Sequence, residues 1–103
     1  MCKQETIHKL IPLFRALLTV LVAENETNWK RGVELILDAL EQPVTGEEDA
    51  KKTLHYVEST YKSILGGNGS FSEFFIWRDD FDERERENAK LENIKNEIWV
   101  ILS

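Results

Sequence analysis

Cysteine is almost missing from this sequence, where Cys2 stands alone. One thiol closes no disulfide within the chain, so burial must hold the fold together, and a reducing, cytoplasmic setting is expected. Basic residues are the minority: 13 Lys and Arg against 19 Asp and Glu give a net charge of -6. A chain with that balance lacks the basic face that phosphate backbones and anionic membrane surfaces require. No nucleic-acid or membrane partner is therefore expected, whereas basic protein partners are favoured. Long uninterrupted apolar runs are also lacking. The most apolar stretch, residues 7 to 23, is broken by His8, Lys9, Pro12 and Arg15, which argues against a membrane span of roughly 20 apolar residues. Ala23-Glu24-Asn25 is a poor cleavage site, which argues against a signal peptide. Glycine is scarce except at one place: three of the five glycines fall at positions 66, 67 and 69.

What is present is helical periodicity. At 103 residues with 42% hydrophobic content, the chain is expected to form a single domain, 1–103, with a modest core. Ile7, Leu10, Ile11, Phe14, Leu17, Leu18, Leu21 and Val22 recur at three- and four-residue spacing and predict a first helix over 4–24, with a stripe wide enough for several neighbours. Pro12 lies inside it and predicts a kink or a first turn. Trp29, Val33, Ile36, Leu37 and Leu40 predict a second helix over 28–42, capped by Asn25, Thr27 or Asn28 and stopped by Pro43. Gly32 within it costs about 1 kcal/mol against alanine, and a close helix crossing is the expected reason. Thr45-Gly46-Glu47-Glu48 reads as a capping box that opens a third helix. Its stripe is Ala50, Leu54, Val57, Tyr61, Ile64 and Leu65, and Gly66 or Gly67 ends it.

After the glycines, Ser70 to Glu73 repeats the capping pattern. Residues 71–77 are expected to form a short aromatic helix or a loop, since a lone strand has no partner in this chain. A last helix is expected from near Asp82 to the C-terminus, with Leu91, Ile94, Ile98, Ile101 and Leu102 inward. The whole is an all-α fold, a compact bundle of four long helices.

Catalytic and metal sites find little support in the pattern. Cys2, His8 and His55 are the only candidates for a nucleophile or a base near neutral pH, and no orienting third group accompanies them. His55, beside Leu54 and Tyr56, is expected to be half-buried and hydrogen-bonded. Glu5-x-x-His8 has the spacing of a di-iron ligand pair, but such sites need two pairs and two further glutamates. Asp80 and Asp82 lack the glycine and distant glutamate of a calcium loop. The glycine stretch lacks the lysine of a phosphate-binding loop. No cofactor is expected.

The remaining feature is the stretch from Phe74 to Glu87. Asp79, Asp80, Asp82, Glu83, Glu85 and Glu87 are interleaved with Arg78, Arg84 and Arg86. One reading is a solvated helix start with pairs such as Asp80–Arg84 and Asp82–Arg86. The other is an interface, because Phe74, Phe75, Trp77 and Phe81 stand among the charges, and aromatic anchors beside a charged rim are ordinary interface anatomy.

Gly66-Gly67-Asn68-Gly69-Ser70-Phe71-Ser72-Glu73-Phe74 resembles a Gly-Gly-x-Gly-Ser-Phe-polar-acidic-apolar signature of small bacterial helical proteins, and Asn28-Trp29 is similar to a pair those proteins carry early in the chain. Asn68 replaces an apolar residue of that pattern, and Ser72-Glu73 replaces Asn-Asp. Small acidic cytoplasmic proteins that look like this serve as immunity partners of secreted toxins, as in contact-dependent growth inhibition. The resemblance implies a non-enzymatic protein that binds a cognate basic toxin domain, such as a nuclease, as a one-to-one heterodimer. The partner surface expected from the residues is Trp77, Asp79, Asp80, Phe81, Asp82, Glu83, Glu85 and Glu87. The competing readings are a helical adaptor or regulator without a toxin, and a small-ligand or metal-binding bundle using Glu5, His8 and His55.

Overall fold

The computed structural model describes residues 3–26, 29–66 and 75–102. Four helices follow one another: α1 (Lys3–Ala23), α2 (Lys30–Glu41), α3 (Glu47–Gly66) and α4 (Phe81–Leu102). No strand occurs among the described residues, so the fold is all-α. Helix α1 packs against each of the other three, and α2 packs also on α3. The chain measures 48 × 25 × 21 Å along its principal axes.

The stripe of α1 explains its central place. Ile7, Leu10, Phe14, Leu17 and Leu21 are buried to within 2%, each three or four residues from the next, so they share one face. By length and composition alone α1 is apolar enough to cross a membrane, contrary to the reading of residues 7–23 as too interrupted. Here that apolar face meets Val33, Ile36, Leu37 and Leu40 of α2, Ala50, Val57 and Tyr61 of α3, and Leu91 and Ile98 of α4 in one core. The Phe14 and Tyr61 rings meet edge to face, with centroids 5.6 Å apart, the arrangement that ring quadrupoles favour. The helix runs unbroken through Pro12.

The helix ends correct several expectations. Asn25 does not cap α2. It closes α1 instead, with φ of 56°, while its N–H donates to the Val22 carbonyl at 3.1 Å and the Glu26 N–H donates to Leu21 at 2.9 Å. That pair of bonds is a Schellman ending, and asparagine tolerates the left-handed position better than most residues. Helix α2 begins after Trp29, which makes no side-chain cap. Thr27 and Asn28 lie outside the described residues. Gln42 is extended ahead of Pro43, as the ring of a following proline requires. In the box before α3, Asp49 replaces the expected Glu48: its Oδ2 accepts from the Thr45 N–H at 3.2 Å and from the Thr45 hydroxyl at 3.4 Å. Gly32 faces Ile64 of α3, whose Cδ1 would lie 2.6 Å from an added Cβ. The glycine therefore permits the close α2–α3 crossing that the sequence suggested.

Helix α3 ends at Gly66; the rest of the glycine stretch and residues 71–74 of the expected aromatic segment lie outside the described residues. Residues 75–78 are not helical, and α4 starts at Phe81, within one residue of the expected start.

Candidate partner-binding surface

The segment that enters α4 alternates. Phe75 is 59% exposed, Ile76 2% and Trp77 64%, the two-residue period of an extended chain. An extended segment with no neighbouring strand must place its backbone groups elsewhere. Asn88, about two turns into α4, takes them: its Oδ1 accepts the Ile76 N–H at 2.9 Å, and its Nδ2 donates to the Ile76 carbonyl at 2.8 Å. An N–H and a C=O from one residue reach one side chain only when both point the same way, as they do in extended backbone and not in a helix. The same Nδ2 donates to the Arg84 carbonyl at 2.8 Å, which fixes the amide's orientation. Asn88 thus stands in for a missing strand, and Ile76 enters the core while Phe75 and Trp77 face outward.

Arg78 holds the other end. Its guanidinium grips the Glu24 carboxylate with two bonds, at 2.8 and 2.5 Å, and a third donation goes to the Trp77 carbonyl at 2.8 Å. Its Nε lies 3.3 Å from Glu83. The Schellman ending of α1 is what brings Glu24 to this point. The hydrogen bonds from Arg78 hold the Glu24 carboxyl below its ordinary range, against the opposing effect of burial. The reciprocal bond from Glu24 raises Arg78 further above its already high value.

Asp80 caps α4. Its carbonyl accepts the Arg84 N–H at 3.0 Å, the first bond of the helix ladder, and its Oδ2 accepts the Glu83 N–H at 2.9 Å, which satisfies one of the donors a helix start leaves open. The expected Asp80–Arg84 pair is therefore not made. Arg84 lies instead over two rings, 4.3 Å from the Trp77 centroid and 5.2 Å from that of Phe81, within cation–π range. Asp82 and Arg86 do not pair either.

The structure divides the acidic residues chosen from the sequence. Asp80 is a cap, Glu83 serves Arg78, and Glu87 lies 3.4 Å from Lys90. Asp79, Asp82 and Glu85 are exposed and make no ion pair among the described residues. Because successive residues of a helix step by about 100°, Asp82, Glu83, Glu85 and Glu87 fan around α4 and do not form one patch. The rings do gather: Phe75, Trp77 and Phe81 line a groove of about 640 Å³ with Arg84, Glu85 and Glu92. Sequence reasoning named Phe75 among the interface rings but left it out of the partner surface, and it did not assign Arg84, Asn88 or Glu92 there. The alternation Phe75-Ile76-Trp77 was the available signal for the first of them.

The other candidates stay apart. Glu5, His8 and His55 are each exposed, which corrects the half-buried placement expected for His55. No cluster of three His, Cys, Asp or Glu side chains suited to a metal ion occurs among the described residues, and Cys2 lies outside them. No protein-family model matches this chain, and no curated protein or solved structure matches it.

Proposed function

We propose that this chain is a non-enzymatic immunity protein that binds a cognate bacterial toxin domain, one to one, through the ring-lined face at the start of α4. The observation that carries the reading is the exposure of three large rings, Phe75, Trp77 and Phe81, at 57–64% on a segment pinned at both ends. A soluble chain gains nothing for its own fold by holding such rings in water, whereas buried aromatic anchors dominate protein interfaces. At 150–250 Å² per ring, covering them removes about 400 Å² of apolar surface, which is about 10 kcal/mol at 25 cal/mol per Å². That sum is comparable to the entropic cost of association, roughly 4–15 kcal/mol, so the rings alone do not give tight binding. Asp79, Asp82 and Glu85 supply the complement. They draw a basic domain in and speed encounter. In this reading the four helices form a compact single-domain bundle that acts as a rigid platform in the cytoplasm, with no cofactor, nucleic acid or membrane involved. The partner is a basic domain such as a nuclease, whose substrate cleft the acidic surface would occupy.

Binding to the product of the neighbouring reading frame, and to a panel of basic nuclease toxin domains, tests this. One partner should bind at one-to-one stoichiometry, with affinity falling as salt rises. Trp77→Ala and Phe81→Ala should each weaken binding about 10- to 100-fold, the range of interface hot spots. Asp82→Lys with Glu85→Lys should slow association. Asp80 is unsuitable for charge reversal because it caps α4. Failure to bind any of these domains, or binding indifferent to both ring substitutions, overturns the proposal.

A further inference from the structure

Among the charged residues at this face, Arg84 stands out. Its guanidinium carries five donors in a rigid fork, yet among the described residues it makes no hydrogen bond and no ion pair. It is half-buried and lies over the Trp77 and Phe81 rings. Its neighbours Asp80, Glu83 and Glu87 are committed to the helix cap, Arg78 and Lys90. Arginine, tryptophan and a further aromatic at the centre of a patch is the composition of an interface hot spot, and a stacked guanidinium has already lost the rotamer freedom that binding would otherwise remove.

We infer that Arg84 is the central recognition residue of the surface and that its ligand is a carboxylate of the partner protein. The inference rests on the docking reading above and sharpens it. Charge complementarity fixes the pattern further. Arg84 is one cation flanked by Glu85 and Glu92 in the groove. An isolated polyanion is repelled by that pair. The complementary surface reverses the signs, with an acidic side chain flanked by lysines or arginines. The carboxylate takes the Arg84 fork in two parallel bonds, the strongest such pairing, and the flanking cations meet the glutamates. The acidic run therefore selects for basic surroundings, while the residue at its centre selects for an acid.

The probes are three synthetic peptides, acetyl-Lys-Phe-X-Phe-Lys-amide, in which X is Glu, Gln or Lys. Each is titrated to about 10 mM, since contacts of this size give millimolar affinity, and binding is read from the Arg84 Nε–Hε and Trp77 indole N–H resonances. The Glu peptide should bind about tenfold more tightly than the other two, the factor expected for a charge-assisted bond pair. Arg84→Gln should erase that preference. Arg84→Lys, which keeps the charge and loses the fork, should reduce it. Helix content of both variants is checked by circular dichroism. Equal binding of the three peptides, preference for the Lys peptide, preference surviving Arg84→Gln, or no binding of the Glu peptide overturns the inference. Since no toxin is needed, this result and the fate of the immunity proposal separate cleanly.

Discussion

Asn88→Ala should be the most informative single change in this protein. Three hydrogen bonds end on the Asn88 amide, two of them from the backbone of Ile76 and all between 2.8 and 2.9 Å. Removing the amide leaves the Ile76 N–H and C=O without partners at a half-buried site. At about 1 kcal/mol net per bond, and more where a group stays dry, the loss should be about 2–3 kcal/mol. If the segment then peels away to hydrate its backbone, Ile76 leaves the core, which caps the loss near the 2–5 kcal/mol of a buried isoleucine truncation. For a chain of this size each 1 kcal/mol moves Tm by about 4–8 °C, so the midpoint should fall by roughly 10–20 °C. Urea unfolding supplies the free energy. A double-mutant cycle with Ile76→Ala supplies the mechanism, because two residues that act through one anchor should be less than additive by about 1 kcal/mol or more. A loss within about 0.5 kcal/mol, the level of ordinary surface changes, or full additivity in the cycle, would refute the role of Asn88 as a stand-in strand.

Three further outcomes follow from the packing and the ion pairs. Gly32→Ala gains about 1 kcal/mol of helix propensity but drives a Cβ to 2.6 Å from Ile64 Cδ1, an overpacking worth roughly 1–3 kcal/mol; in an Ile64→Val background, where Cδ1 is gone, the same change should become neutral or stabilising, and an identical effect in both backgrounds by thermal melting counts against the crossing. Arg78→Ala should cost about 1–3 kcal/mol at neutral pH by stranding Glu24. Glu24 has its folded pKa lowered from 4.5, so its contribution is present above that value and is lost as pH falls through the lowered one; acid titrations of parent and variant should converge below pH 4.5, and parallel curves would refute the linkage. Tyr61 has its pKa pushed up from 10.0 to about 12, by burial first and by Glu92 second. The stability it contributes is full below the unfolded value and is lost as pH rises between the two, so Tyr61→Phe should be the more resistant protein across that alkaline window in a circular-dichroism titration.

The helices were legible because burial imposes a period. Every residue that α1 and α2 bury belongs to the stripes counted from the sequence. Pro43 stops α2 through a local steric rule that needs no tertiary knowledge. The candidate surface was legible only in part. Trp77 and Phe81 stood out as aromatics among charges, but six acids in ten residues looked like one patch only because the sequence is a line. Wound into a helix, they point in different directions, and half of them serve the fold. The residues that organise the surface were hidden for a different reason. Arg78 meets Glu24 across 54 positions, and Asn88 meets Ile76 across 12. Neither spacing belongs to any helical or strand period. The local rule that predicted Asp80–Arg84 was outweighed by two competitors, a backbone amide for the carboxylate and two rings for the guanidinium.

Those two long-range contacts bear on how the surface would work. Phe75 and Trp77 have no core to lock them in place, yet the backbone between them is fixed by Asn88 on one side and Arg78 on the other. Ordering a rotamer-rich side chain on binding takes about 0.5–1.5 kcal/mol. Arg84 stacked on Trp77 and Phe81 has met part of that demand in the free protein. The stability of the anchoring comes from residues placed away from the exposed faces of the rings: an amide that satisfies buried backbone and a carboxylate 15% exposed. In the proposed reading, holding the platform and meeting the partner thus fall to different side chains. Changes in the groove can alter which partner is met without loosening the clamps, and changes in the clamps can weaken binding without touching a partner at all.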